Sequence, residues 1–210
     1  MSVSRRGVLA AGMAAPAFAQ GAGRPLRFVP QSNLASIDPV WSTAVVVRNH
    51  GLMVYDLLYG LDAQYRVQPQ MAAGHEVSSD GLTWMITLRE GLKFHDNEPV
   101  RGRDCVASII RWSKRDVLGQ RLDALAEEIS APDDRRIRIR LKRPWAGLAW
   151  ALGKPSANMC AIMPERVART DPFQQITDAT GSGPFRFRQD LFRPGDVAVY
   201  DLSLIHISEP

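Results

Sequence analysis

The sequence contains little that could build a metal site or a disulfide framework. Only two of its 210 residues are cysteines, Cys105 and Cys160, and neither a Cys-x-x-Cys motif nor a histidine cluster accompanies them. In an oxidising compartment the two could pair, although lone cysteines are more often small buried apolar residues. We therefore predict no metal and no cofactor. The sequence does not decide whether the two cysteines form a disulfide.

Other signatures are missing as well. The sequence has no internal repeat, no low-complexity linker and no Gly-x-Ser-x-Gly motif around Ser182. Apolar residues make up 45% of the chain and charged residues 23%, which is ordinary for a globular protein and argues against disorder. Subtracting the charges of Arg5 and Arg6 from the net charge of +4 leaves +2, which is too small to indicate nucleic acid as a partner.

Residues 1–19 have the pattern of an export signal. Arg5 and Arg6 precede a short apolar run, and Ala17-Phe18-Ala19 forms an A-x-A site that predicts cleavage after Ala19. The run is too short to span a bilayer, which needs about 20 residues. The paired arginines are similar to a twin-arginine signal, with an ordinary Sec signal as the alternative. We therefore expect a periplasmic protein.

The segment from Gly74 to Val100 has the alternation of a half-buried sheet. Turn signals at 78–81 and 90–91 separate short strands, and Trp84, Ile86 and Leu88 share one face of the middle strand. Adjacent residues on a strand point to opposite faces, so His95-Asp96 is not expected to act as an acid–base pair. We predict that Asp96 caps a turn and that Phe94 belongs to the core.

The same segment resembles a known family. Its order, VS-x-DGLT-W followed by LR-x-GLKFHD-x-x-P, resembles the segment shared by extracytoplasmic solute-binding proteins of the peptide, dipeptide and nickel type (family 5), which feed ABC importers. Three further motifs match, namely L-x-x-I-D-P at 34–39, V-Y-D-L-L-Y-G-L at 54–61 and G-S-G-P-F at 181–185. Asn97 stands where the family usually has Gly, and Asn tolerates the same left-handed backbone.

The resemblance implies a fold and a domain organisation. We expect an α+β or mixed α/β architecture, a partial periplasmic-binding-protein-like lobe with an inserted β-hairpin-rich subdomain. Residues 20–60 and 161–201 would form parts of the first lobe, and residues 61–160 the insertion. The family pattern R-N-P-x-Y is missing after Tyr200, so residues 202–210 are predicted to be a non-native tail, and the second lobe to lie outside this sequence.

The resemblance also implies a function and a site. The chain would be the substrate-binding component of an ABC importer, a monomer that takes a peptide or related small solute and delivers it to the permease, with no enzymatic activity and no nucleic acid. The implied solute-binding residues are Asn33, Leu34, Gly181, Ser182 and Gly183. Asp38 is a further candidate at the cleft, with the alternative that local backbone N–H groups hold its carboxylate.

Periodicity predicts the remaining elements. Helices are predicted over 44–59 with Gly60 as the stop, over 103–115, over 144–153 and over 164–169. Val106, Ile109, Ile110 and Trp112 form the predicted buried stripe of the second helix. Strands are predicted over 26–30, 128–132, 136–142, 161–164 and 197–200.

Two other function classes stay open. A secreted hydrolase would need a nucleophile with a base, and His50, His75 and His95 are isolated in the sequence. A nucleic-acid binder could use the basic stripe of the 136–142 strand, whose cations are Arg136, Arg138, Arg140 and Lys142. We interpret that stripe as the protection of an edge strand.

Overall fold

The computed structural model describes residues 25–156, 158–203 and 205. The predicted export signal, with its cleavage after Ala19, lies outside these residues, and so does most of the predicted tail. The described chain has the mixed α/β fold that the sequence predicts. Its elements are α1 (Val45–Val54), β1 (Tyr59–Leu61), β2 (Val67–Pro69), β3 (Ala72–Val77), β4 (Thr83–Leu88), α2 (Gly102–Ser113), α3 (Val117–Leu125), β5 (Ala126–Ser130), β6 (Arg136–Leu141), α4 (Leu148–Gly153), α5 (Glu165–Ala168), β7 (Phe185–Phe187) and β8 (Tyr200–Leu202).

The largest sheet is antiparallel and has the strand order β3-β4-β6-β5. The two predicted hairpins supply its strands, and they join where Trp84 lies opposite Ile139 and Ile86 opposite Ile137. These four side chains and Leu88 are buried, so one face of the sheet is the core, as the alternation predicts. The other face is mostly polar, with Met85 as an apolar member, and it is at least partly exposed.

The turns of this region have the predicted backbone. Gly81 (φ 71°), Gly91 (φ 74°) and Asn97 (φ 68°) are all left-handed, so Asn97 takes the conformation for which Gly is otherwise favoured. Asp96 Oδ1 accepts a hydrogen bond from the Glu98 backbone N–H at 3.1 Å. Phe94 is buried. The structural roles predicted for Asp96 and Phe94 are confirmed.

The basic stripe of β6 is explained differently from the prediction. β6 lies between β4 and β5, so its interpretation as a protected edge strand is wrong. Three of its cations instead have acidic neighbours within the same hairpin, which partly neutralise the stripe. The ion pairs are Arg136–Asp133 at 2.6 Å, Arg138–Glu128 at 3.8 Å and Arg140–Glu127 at 2.8 Å.

Helix α2 lies where it is predicted, but one residue of its stripe is misplaced. Ile109 and Trp112 are fully buried, whereas Ile110 is 44% exposed because it lies one position round the helix from the buried row. Asp104 Oδ2 accepts the Arg101 backbone N–H at 2.8 Å, so the first turn is fastened by the acidic residue at the third helical position.

Helix α1 is shorter than predicted. It ends at Val54, because Tyr55 has extended backbone (φ −117°, ψ 149°) and Gly60 belongs to β1 instead of stopping the helix. Tertiary hydrogen bonds hold the extended stretch, since Gly183 N donates to Val54 O at 2.8 Å and Ile162 N donates to Asp56 O at 3.0 Å. Residues 54–59 are all buried. The run therefore lacks the alternation of exposed polar and buried apolar residues that would predict a strand.

Other predicted elements also differ from the structure. Residues 26–30 form no strand, and residues 161–164 are buried without joining a sheet. Pro164 is the N-cap of α5, and α4 is shorter than the predicted 144–153 helix. Helix α3, which was not predicted, is capped by Asp116, whose carboxylate accepts from the backbone N–H groups of Leu118 and Gly119.

A small hairpin of β7 and β8 closes the described chain. Phe185 pairs with Leu202 and Phe187 with Tyr200, and Ser203 N donates to Pro184 O at 2.8 Å. Leu202 and Ser203, the first residues of the predicted tail, therefore take part in this hairpin. Among the described residues, no helix is long and apolar enough to cross a membrane.

Candidate functional site

The first two predicted site residues have different environments. Asn33 is exposed, whereas Leu34 is 8% exposed and belongs to the core. Gly195, in a left-handed turn (φ 80°), lies beside Asn33, because a β-carbon at Gly195 would be 3.8 Å from Asn33 Nδ2. Asn33 therefore offers its side chain to solvent at a surface that it shares with the 193–196 turn.

The other three predicted site residues form a loop that is packed on both sides. On one side, Gly183 N donates to Val54 O at 2.8 Å, and a β-carbon at Gly181 would overlap the same carbonyl oxygen. On the other side, His95 N donates to Gly181 O at 2.8 Å and His95 Nε2 donates to Gly183 O at 2.9 Å. Ser182 between them is buried. This is the close backbone approach for which glycine is required.

An open polar groove of about 230 Å³ lies beside this loop. Its walls come from residues 95–96, 178–180 and 186–190. Arg166 Nη2 bonds Asp96 Oδ2 at 2.9 Å and Asp178 Oδ2 at 3.3 Å across one side of it. Arg188, on the other side, bonds two further aspartates. Arg186 also lines the groove, so three arginines stand against these four aspartates and the groove is slightly acidic.

Asp38 is not at an open cleft surface but in a buried ion pair. Its carboxylate accepts from Arg111 Nη1 at 3.0 Å and Nη2 at 2.6 Å. It also accepts the backbone N–H groups of Val40, Trp41 and Ile176, so the alternative of local backbone partners is confirmed. The two side chains are 0% and 2% exposed.

Arg111 is as fully bonded as its partner. Besides Asp38, its guanidinium donates to Thr170 O at 3.1 Å and to Gln174 O at 2.9 Å. The pair thus joins three stretches that are far apart in the sequence, namely the 36–41 loop, α2 and the 170–176 loop. Arg111 was not singled out in the sequence, because an arginine on an amphipathic helix is usually on its exposed side.

The histidines have structural partners. His50 Nδ1 is 2.8 Å from Tyr200 Oη, and its ring packs edge-on against Phe187 at 4.9 Å, so α1 is bound to the β7–β8 hairpin. His75 Nδ1 is 2.9 Å from Tyr59 Oη, and its ring lies 4.8 Å from that of Trp84. These contacts with aromatic residues hold the rings in place and assemble no nucleophile with a base.

Burial lowers the pKa of His50 from 6.5 to about 4. Its pKa is therefore lower in the folded than in the unfolded chain, so between these values the unfolded chain binds more protons. Stability is complete above about pH 6.5 and falls as the pH drops towards 4. We expect urea denaturation to show that His50 lowers the free energy of unfolding by about 2 kcal/mol between pH 7 and pH 5, because its protonation favours the unfolded chain.

H50N retains an amide group near the Nδ1 position without the titration, and is expected to lose that pH-dependent component. Q120A, in which an exposed residue of α3 that does not titrate is replaced, serves as the control and should keep the parent's pH dependence. Equal pH dependence in H50N and the parent would contradict this role of His50.

The cysteines and potential metal ligands offer no further site. Cys105 and Cys160 are buried free thiols, and burial raises the pKa of both, which disfavours the reactive thiolate. In the part of the chain that the structure describes, no three His, Cys, Asp or Glu side chains are grouped so that they could hold a metal ion.

Comparison with known proteins gives consistent matches. The family described as "Bacterial extracellular solute-binding proteins, family 5 Middle" matches residues 66–202. The chain is 39% identical to the probable peptide ABC transporter periplasmic-binding protein y4tO of Sinorhizobium fredii, over 96% of this chain and 39% of that protein. It is 28% identical to the glutathione-binding protein GsiB of Pectobacterium atrosepticum, over 89% of this chain and 37% of that protein.

The fold is also similar to solved structures. The dipeptide binding protein of Pseudoalteromonas sp. SM9913 in complex with Met-Leu superposes with a TM-score of 0.71 at 16% identity, over 85% of this chain and 39% of that one. The chain thus has the fold of part of a periplasmic binding protein and spans less than half the length of these relatives. Since the family pattern matches more than half of the chain, the protein belongs to the bacterial extracellular solute-binding proteins of family 5.

Proposed function

We propose that the protein is the substrate-binding component of an ABC importer, which captures a peptide or a related small solute in the periplasm and delivers it to the permease. The observation that carries the proposal is the 39% identity, over 96% of this chain, to a probable peptide ABC transporter periplasmic-binding protein. Relatives named as glutathione-binding proteins support a short peptide or a peptide-like solute.

The proposal extends to export and assembly. Residues 1–19 are the export signal, cleaved after Ala19, and the mature protein acts as a monomer in the periplasm without nucleic acid. Residues 20–60 and 161–201 belong to the first lobe and residues 61–160 to its inserted subdomain. Binding, and not catalysis, is the activity. The contacts of His50 and His75 with aromatic side chains support this assignment over a hydrolase.

Within the described chain, we propose that the solute binds at a surface formed by Asn33, Leu34 and the loop of Gly181, Ser182 and Gly183. Asn33 is the member that can use its side chain, because it is exposed. Leu34 and the glycine loop are buried, so their contribution is to shape the surface. The other half of the contacts comes from sequence beyond this chain, since the relatives are more than twice as long.

Calorimetry with two short peptides, glutathione and Met-Leu, and with a peptide library tests the proposal. We expect the 210-residue chain to bind none of them measurably. The natural protein extended to the length of its relatives is expected to bind at least one peptide with a Kd on the order of micromolar.

In that extended protein, N33A should weaken binding about fivefold through the loss of one hydrogen bond. Q120A, which changes an exposed residue of α3, serves as the control and should have no effect. An extended protein that binds no peptide would overturn the proposed function. Micromolar affinity in the 210-residue chain alone would instead contradict the expectation that further sequence supplies necessary contacts.

A further inference from the structure

The motifs that characterise this chain in sequence meet at one point in the structure, and His95 lies between them. The end of α1, the turn at 93–97 and the loop at 181–184 are far apart in the chain. Val54 O and His95 hold opposite sides of the 181–183 loop through hydrogen bonds of 2.8 to 2.9 Å. His95 belongs to the proposed inserted subdomain, and the loop to the proposed first lobe.

We propose that His95 is a positioning residue for solute capture, which fixes the Gly181–Gly183 loop and the hairpin that follows it. This rests on the proposed function, in which the loop shapes the solute-binding surface. His95 uses two donors on two carbonyls of the same loop, its backbone N–H on Gly181 and its Nε2–H on Gly183. Since a carbonyl oxygen only accepts, Nε2 carries the proton.

The imidazole contact contributes more than the ion pairs around it. His95 is 8% exposed, and loss of its Nε2 donor would leave a buried carbonyl without that hydrogen bond. Arg166 spans the same two segments through Asp96 and Thr180, but its side chain is 52% exposed, and exposed ion pairs contribute little. The loop therefore depends on His95 more than on the surrounding charges.

The position of the 181–183 loop determines the position of the β7–β8 hairpin, which follows it directly in the chain. Pro184 O accepts from Ser203 N at 2.8 Å, and the next residue, Phe185, pairs with Leu202. A displacement of the loop must therefore shift both strands. The 93–97 turn, whose His95 bonds the loop, lies after the end of β4, so a purely local loosening of the loop should leave the four-stranded sheet unaffected.

A matched pair of variants tests the role of the Nε2 donor. Gln ends in an amide nitrogen that can reach the carbonyl that Nε2 reaches, and Met has a similar length without a donor. In H95M, hydrogen–deuterium exchange of segments 180–187 and 198–202 should be about tenfold faster, as expected for the loss of one buried hydrogen bond. Exchange of the reference segment 126–141 should change by less than about twofold. H95Q should restore slow exchange in the first two segments.

R166M removes the exposed ion pairs that span the same two segments without touching His95, and is the control that should behave like the parent. If H95M does not fold, H95N provides the second loss variant, because its side chain is too short to reach Gly183 O. Equal acceleration of all three segments, or no rescue by H95Q, would overturn the positioning role. Because exchange is measured without solute, its result is independent of peptide binding, and failure of peptide binding would instead count against the proposed function.

Discussion

Replacing Arg111 by methionine is expected to lower the free energy of unfolding by about 3–5 kcal/mol, because the change leaves the buried carboxylate of Asp38 without its counter-ion. Asp38 is 0% exposed, and no solvent can replace the two lost hydrogen bonds. The carbonyls of Thr170 and Gln174 lose their donor as well. Urea denaturation followed by tryptophan fluorescence measures the change.

Two further variants separate the buried charge from the loss of an arginine as such. R166M removes an exposed arginine that also bonds two aspartates, and should cost less than about 1 kcal/mol. Combining R111M with D38N neutralises the stranded carboxylate, so the double variant should be less destabilised than R111M alone. A double variant more unstable than R111M would show that the uncompensated charge is not the cause.

Replacing Gly181 by alanine is expected to cost at least about 3 kcal/mol, at the upper end for overpacking, because the new methyl group meets backbone and not a flexible side chain. The β-carbon would overlap Val54 O and lie 2.8 Å from Val54 C and 2.9 Å from Tyr55 Cδ1. Relief requires the loop to leave the end of α1, which also breaks the hydrogen bond from Gly183 N to Val54 O. Denaturation gives the energy, and exchange of residues 180–187 shows the displacement.

Gly74 provides the matched control, because a β-carbon there would have nothing within 4 Å. G74A is expected to change stability by less than about 1 kcal/mol, because its methyl group would overlap no neighbouring atom. If G181A were as stable as G74A, the packing of the 181–183 loop against α1 would have to be looser than the structure describes.

The parts of the fold that follow a local pattern could be predicted from the sequence. Trp84, Ile86 and Leu88 occupy every second position of β4, and Asn97 stands at a turn where few residue types fit, so each local pattern has one reasonable interpretation. The run from Val54 to Tyr59 has no such pattern, because it is buried throughout. Its extended backbone depends on hydrogen bonds to distant residues, which no local propensity encodes.

The candidate site, like the fold, could be predicted from the sequence only in part. The resemblance selected the Gly181–Gly183 loop, and its glycines do indicate close packing, but which segments it packs against is a non-local property. Arg111 and His95 looked like a surface arginine and a turn histidine in the sequence. Their partners are Asp38, far earlier in the chain, and Gly183, far later. Pairings of this kind become visible only when the chain is folded.

The strand order β3-β4-β6-β5 has a consequence for how the chain folds. Each hairpin closes over a short turn, so β3 with β4 and β5 with β6 can form early. The pairing of β4 with β6 must instead bring together residues separated by the whole of α2 and α3, and it carries the entropy of closing that long loop. The join between Trp84 and Ile139 is therefore where a kinetic barrier is expected, and helix formation between the two hairpins shortens the loop that has to close.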